Sequence, residues 1–392
     1  MSSTTLQRDD LGVVRLRLHA GSVRRAGCAF GLLAGRHQSP AGYGNHVTRY
    51  VIIGAGAIGG AIGGRLARDG QRVVLVARGD HLDAMRSYGL RIRTPTEDVT
   101  VPVAAVSAPG EVQLHTDDVL VLATKTQQLI PVLNEWADAD VYDAERVIGS
   151  AGDQLPVFTA TNGVAAEDFA LRYFTRVFGI CVWMPATRLE PGEVIVRATP
   201  VAGVLHLGRV PASTTARDSQ LLQRVAADWT AAGFDIRLPA DVMPWKYRKL
   251  ISNLGNVFEA LTGSTREVGD LVEAAEAEAR AIFDAAGIRY IDDAEEAATR
   301  ATGFTVQRVP GVDGMVGGST WQSLTRGTGD IETDYLNGEI VLLAHRIGTT
   351  ATINSRLARL GRRAVVTGAR PGDLTPEALA DELRQAAVRE ND

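Results

Sequence analysis

The sequence is short of lysine: of its 41 basic residues only three are lysine, Lys125, Lys246 and Lys249, and the rest are arginine. Two cysteines, Cys28 and Cys181, are too few for a disulfide framework or, alone, a zinc site. A reducing compartment fits, and the cytoplasm is the expected location. No apolar run approaches the roughly 18–20 residues that span a membrane, so no membrane partner is expected. A basic surplus is missing as well. The formal net charge of −5 argues against a dedicated nucleic-acid binder. No cluster with metal-ligand spacing stands out, and no metal is expected. The signature of wholesale disorder is absent, since 45% hydrophobic and 22% charged residues are globular values.

Codon bias accounts for the arginine excess in an Ala- and Gly-rich chain. Arginine serves wherever surface charge is the need. Lysine alone has a pKa that a site can pull toward neutrality. The three lysine positions therefore draw attention.

A chain of 392 residues suits two domains. Residues 1–48 differ from the rest, with six arginines and two acids. They lack the continuous apolar stretch of a secretory signal. This segment is expected to be a disordered extension or the product of a misplaced start codon, with Val47 readable from a GTG start. From 50 the pattern is regular: a strand at 50–53, a helix at 57–69 and a strand at 72–77. That is a βαβ unit, which implies a parallel sheet. Further strands are expected at 91–93, 99–106, 118–124, 156–161, 178–185, 194–197 and 204–208. After Pro211 helical spacing takes over, at 218–232, 243–261, 268–286, 292–300, 334–348 and 352–365. The expected fold is an α/β domain with a parallel sheet (49–211), then an all-α domain (212–365) and a polar, helix-capable tail (366–392).

Gly54-Ala55-Gly56-Ala57-Ile58-Gly59 follows the first strand and opens the first helix. Gly54 allows the tight turn, Gly56 lets the backbone approach a pyrophosphate, and Gly59 lets helix and strand pack closely. The phosphates would sit on the helix N-terminus. Gly54, Gly56, Ala57, Ile58 and Gly59 are thus candidate cofactor contacts in a Rossmann-type domain. The second strand ends at Arg78 with no acid before it. A guanidinium there suits a 2′-phosphate, which favours NADP (as NADPH) over NAD. Asp80 keeps NAD open as the minor option.

Lys125 follows the strand at 118–124 and Asn162-Gly163 the strand at 156–161. Both lie at the carboxyl ends of strands, where ligands bind in such sheets. Lys249, Asn253 and Asn256 fall at i, i+4 and i+7, on one face of the helix expected over 243–261. Exposed stripes are usually rich in Arg and Glu, so an amine with two amides points to chemistry. Lys246, one turn earlier, is either an alternative to Lys249 or a surface charge.

These residues, followed by Glu332-Thr333-Asp334-Tyr335-Leu336-Asn337-Gly338, stand in an order that resembles the ketopantoate reductase (2-dehydropantoate 2-reductase) family over residues 50–360. The resemblance implies a Rossmann domain, a helical domain and an active site in the cleft between them. It implies NADPH-dependent reduction of ketopantoate to pantoate, toward pantothenate and coenzyme A. By the same resemblance Lys249 is the general acid and Glu332 the partner of the substrate hydroxyl. Asn253, Asn256, Ser319 and Thr320 are substrate contacts, and Lys125 and Asn162 lie on the cofactor side. Physics agrees about Lys249: hydride arriving at a ketone leaves negative charge on oxygen, and a nearby ammonium stabilises it and donates a proton. One departure is the second asparagine, at i+7 where the family pattern expects i+8, a place held by Val257. A reductase of another branched 2-keto or 3-keto acid, and a non-catalytic NADPH-binding regulator, are the competing readings. The expected partner is a small keto acid. A homodimer stays open, since periodicity does not tell a core face from a partner face.

Overall fold

Tyr50 and Ile52 face one side of strand β1 (Arg49–Ile53), Val51 and Ile53 the other, and all four are buried. The structure, a computed structural model, describes residues 48–213, 215–312, 317–327 and 331–390. The expectation for residues 1–48 therefore lies, Thr48 apart, outside the described residues. Eight strands make the main sheet: β1, β2 (Arg72–Val76), β3 (Ala104–Val106), β4 (Asp118–Leu122), β5 (Pro156–Thr159), β6 (Arg176–Trp183), β7 (Val204–Val210) and β8 (Asp235–Arg237). Their spatial order is β8-β7-β6-β5-β4-β1-β2-β3. β6 and β7 pair antiparallel, and the other neighbours pair parallel. Strand order reverses at β1, with β2 on one side and β4 on the other. That is the place where sheets of this kind open a ligand crevice.

Helices cover both faces, which is why the strands read as unbroken apolar runs. Ile62 and Leu66 of α1 (Ala57–Arg68) pack with Tyr50, Ile52 and Val121 on one face. α2 (Gly79–Tyr88) follows β2. On the opposite face Leu133 and Trp136 of α3 (Leu129–Ala137) pack with Val51, Ile53 and Leu120. α4 (Ala165–Ala170) follows β5. α5 (Ala216–Ala231) adds Trp229, whose ring meets Tyr50 edge-on while the Tyr50 hydroxyl donates to Asp228 Oδ2 at 2.6 Å.

The helical region comprises α6 (Met243–Asn253), α7 (Asn256–Thr262), α8 (Gly269–Ala285), α9 (Asp293–Gly303), α10 (Ser319–Arg326), α11 (Asn337–Arg346), α12 (Thr352–Thr367) and α13 (Pro376–Glu390). Leu250 and Ile251 of α6 pack with Phe283 of α8 and Ile340 of α11. Phe258 and Leu261 of α7 pack with Leu357 of α12 and Leu379 of α13. An α/β sheet followed by helices is the fold class expected from sequence.

Several details differ. Strands do not stop at Pro211: β8 extends the main sheet, and Phe304–Val306 pairs with Ala198–Pro200. The single strand expected at 99–106 is two, because Pro102 offers no N–H to a ladder. Asp98–Val101 joins a four-stranded sheet with Leu90–Arg93, Glu193–Val196 and Ala186–Thr187, while β3 joins the main one. A three-stranded sheet at 114–115, 140–143 and 146–150 has no counterpart in the sequence reading. The helix expected over 243–261 breaks at Leu254-Gly255, where the Leu254 N–H turns back to Ile251 O at 3.1 Å. Gly255 is a weak helix former, and the buried Leu254 anchors the bend.

Candidate active site

The carboxyl ends of β1, β4 and β5 form the rim on which the expected residues gather. Gly54 has φ +101°, and a Cβ there would stand 2.8 Å from Thr124 N and 2.9 Å from Ala123 C. A Cβ on Gly59 would stand 2.2 Å from Gly54 O. Helix, turn and β4 therefore meet only with glycine at these two places. A Cβ on Gly56 would meet nothing within 4 Å, so open space faces the loop there. Ala57 and Ile58 begin α1, whose first turn carries no acid and no side-chain cap. Its leading N–H groups face that space, an arrangement that fits a dinucleotide pyrophosphate. Sequence reasoning missed the brace beneath this loop. His81, buried on α2, meets Ala55 O through Nε2 at 2.7 Å and accepts the Gly192 N–H on Nδ1 at 2.8 Å. The second contact assigns the proton to Nε2, and burial holds the ring's pKa below the usual histidine value.

Arg78 stands at the end of β2, just before α2, with a mostly exposed side chain and Glu135 Oε2 3.4 Å from Nη2. Lys125, half-buried, lies past β4 at the start of a tight turn over residues 126–128.

Asn162 is the hub of a polar cluster at the end of β5. Its Oδ1 accepts from Lys249 Nζ at 3.2 Å and from Asn253 Nδ2 at 3.4 Å. Lys249 also donates to Val182 O and lies 5.4 Å from the Trp183 ring centroid. Burial, first, and the Lys246 charge hold the Lys249 amine below the usual lysine pKa, while Cys181 and Glu332 pull the other way. Glu332 is buried, and its Oε1 accepts from Thr126 N and from Thr126 Oγ1, each at 3.2 Å. Thr126 Oγ1 is also 3.3 Å from Asn162 O. One threonine thus ties Glu332 to the turn that carries Asn162. Gly163, with φ +73°, closes that turn; a Cβ there would stand 2.7 Å from Tyr335 O.

Lys249, Asn253, Asn162 and Glu332 are therefore brought together. Asn256 lies past the interruption at Leu254-Gly255, and among the described residues no hydrogen bond joins it to Lys249 or Asn253. It sits instead beside the start of α10, where a Cβ on Gly318 would be 3.1 Å from Asn256 Oδ1, and Glu259 accepts the Gly318 N–H at 2.6 Å. Ser319 and Thr320 open α10, Thr320 buried. Among the described residues no hydrogen bond joins either to Lys249 or Asn253. Ser323 turns inward and donates to Ser319 O at 2.9 Å. Lys246 is neither a surface charge nor an alternative at Asn162: it is buried, and its amine donates to Glu167 Oε1.

Fold and site rim together define an oxidoreductase with a Rossmann-type sheet and a helical C-terminal region, the class that acts on a CH–OH group. The ketopantoate reductase PanE/ApbA family model matches residues 50–211, and the ketopantoate reductase PanE/ApbA C-terminal model matches residues 241–364. The chain belongs to the ketopantoate reductase family. It is similar to the 2-dehydropantoate 2-reductase of Pyrococcus horikoshii, with 26% identity covering 77% of this chain and 93% of that relative. It is likewise similar to the 2-dehydropantoate 2-reductase of Mesorhizobium japonicum, with 29% identity covering 82% and 99%. A PanE/ApbA family ketopantoate reductase structure from Ralstonia eutropha superposes with TM-score 0.64 at 26% identity, covering 82% of this chain and 99% of that one. The ternary structure of D-mandelate dehydrogenase with NADH and anilino(oxo)acetate shares the fold, with TM-score 0.64 at 20% identity and coverage of 82% and 99%.

Proposed function

We propose that this chain is an NADPH-dependent 2-dehydropantoate 2-reductase, with residues 49–211 holding the nucleotide and residues 212–365 presenting the substrate-side groups. The observation that carries the reading is a desolvated amine, Lys249 Nζ, held 3.2 Å from Asn162 Oδ1 at the carboxyl ends of parallel strands. Gly54, Gly56, Ala57, Ile58 and Gly59 would hold the pyrophosphate. Arg78 would take the 2′-phosphate that separates NADPH from NADH. Lys125 and Asn162 would border the nicotinamide side. The bound nucleotide supplies the hydride.

The chain's own residues supply the rest. Lys249 presents an N–H to the ketone oxygen, stabilises the charge that develops there and yields a proton to it. Asn162 and Asn253 fix the direction of that amine. Glu332, held by Thr126, takes the substrate hydroxyl. Asn256, Ser319 and Thr320, beside the bend at Leu254-Gly255, would border the rest of the keto acid with neutral donors. We place the enzyme in the cytoplasm.

The test is NADPH oxidation by purified protein with ketopantoate, followed by absorbance beside a panel of other 2-keto acids and an NADH control. Turnover fastest with ketopantoate and NADPH is expected. The helix interruption between Asn253 and Asn256, with Asn256 beside Gly318, favours one second reading, reduction of a different branched 2-keto acid. A panel in which another acid exceeds ketopantoate in kcat/KM would establish that instead. Binding of NADPH with no turnover on any keto acid would leave only a regulator.

A further inference from the structure

Lys246 and Glu167 form a buried ion pair outside the groups assigned to substrate or nucleotide. Each side chain is 1% exposed. Glu167 lies on α4, five residues past Asn162 in the segment that leaves β5. Lys246 lies on α6, one turn before Lys249. Thr159 Oγ1, at the end of β5, donates to the same Glu167 Oε1 at 2.5 Å. Gly179 of β6 makes room for the carboxylate, since a Cβ there would stand 3.3 Å from Oε1. Glu167 Oε2 is buried with no hydrogen-bond partner among the described residues.

A buried pair with one oxygen left over is a poor stabiliser, because desolvation of both charges offsets their attraction. What the pair does geometrically is specific. It joins the helix that carries Lys249 and Asn253 to the segment that carries Asn162. Building on the proposed acid role of Lys249, we infer that Lys246 and Glu167 are positioning residues: their ion pair sets the Lys249 amine against Asn162 and keeps a second positive charge beside it.

The charged and titratable groups facing Lys249 are Cys181 of β6, Lys246 of its own helix and Glu332. Asn162, Val182 O and the Trp183 ring complete its surroundings. Of the two members of the pair, Lys246 is the one whose charge acts on the Lys249 amine, and it acts to make that amine a stronger acid. Removing Lys246 therefore raises the Lys249 pKa.

The scarcity of lysine makes the test direct. Selective 13C-lysine labelling of the full chain yields only three side-chain signals to titrate by NMR. A Lys249→Arg spectrum identifies the signal of interest. In Lys246→Met the Lys249 signal should titrate at higher pH than in wild type. The limb of kcat against pH for keto-acid reduction should move with it, kcat should fall on the order of 10²-fold, and the KM for NADPH should stay. If Lys246→Met does not fold, Lys246→Met with Glu167→Leu replaces the pair by apolar side chains. Thr159 Oγ1 then keeps Phe178 O, 3.2 Å away, as acceptor. That double variant should fold and show the same rise in pKa and the same loss in kcat. A Lys249 signal and a kcat–pH limb that stay at wild-type pH, with only Tm lowered, overturn the inference and leave a structural contact. Wild-type protein that binds NADPH yet turns over no keto acid sinks the acid role itself, and the NMR titration then reports the pair's effect on the amine alone.

Discussion

In the acid role proposed for Lys249, arginine would fail for a chemical reason. A guanidinium keeps its protons across the accessible pH range, whereas an amine drawn down by burial can release one. Lys249→Ala should lower kcat by about 10²–10⁴-fold, the usual loss of a positioned acid. Lys249→Arg should not restore it, and NADPH binding measured by fluorescence should be kept in both. The pH dependence has a definite sign. With Lys249 as the proposed acid, reduction needs the ammonium form, so kcat should fall as pH rises through the Lys249 pKa, and that limb should lie below the ordinary lysine value of 10.5. Unchanged turnover in Lys249→Ala would remove the lysine from the mechanism. Lys249 was legible in the sequence because lysine is scarce and because i, i+4 spacing shows a shared face. Its neighbour's role was not. The partner of Lys246 is Glu167, 79 residues away, and no local pattern joins them.

At the scale of elements, the site depends on turns more than on helices. The Asn162-Gly163 turn must take a left-handed residue and let the backbone of Tyr335 pass close by. Gly163→Ala puts a Cβ 2.7 Å from Tyr335 O, a backbone atom unable to swing aside. Stability should fall by about 1–3 kcal/mol in urea unfolding, and kcat should fall more than NADPH affinity, because Asn162 is displaced while the Gly54 loop is not. Wild-type kcat in a variant of normal fold would show that the turn does not place Asn162. Helix α6 teaches the opposite lesson about reading spacing. Lys249, Asn253 and Asn256 share a face only if the helix runs unbroken, and it is interrupted at Leu254-Gly255. Asn256 is thereby given to the α10 side. The weakness of one glycine is visible in sequence, but whether a helix bends there depends on what Leu254 packs against.

For the whole molecule, the sheet and the helical region are joined through buried polar contacts as well as apolar ones. His206 of β7 stacks on Trp245 of α6, with ring centroids 3.8 Å apart. Its ring nitrogens have no hydrogen-bond partner among the described residues. Burial, and then the Arg237 charge, push its pKa down to about 4, against Asp235. Unfolded chain binds the proton from about pH 6.5, whereas the folded chain resists it until about pH 4. The stability from neutral His206 is thus complete above pH 6.5 and is lost as pH falls to 4, by on the order of 3 kcal/mol. His206→Phe should flatten that part of the unfolding free energy measured against pH. An equal slope in wild type and variant would assign the acid sensitivity elsewhere.

What the sequence determined alone is whatever follows from local rules. The glycine spacing after a buried strand implies the turn, the helix and the anion-binding N-terminus, because each is decided within a few residues of backbone. Unbroken apolar strands imply a sheet covered on both faces, and they are. Motif order was enough to bring the family into view. Tertiary structure decided which polar groups meet. It buried Lys246 against Glu167, set His81 under the glycine loop, linked Glu332 to Asn162 through Thr126 and set Asn256 beside Gly318. Each of these joins residues far apart in the chain. The desolvation that lowers the Lys249 pKa arises only when sheet and helices close around the amine.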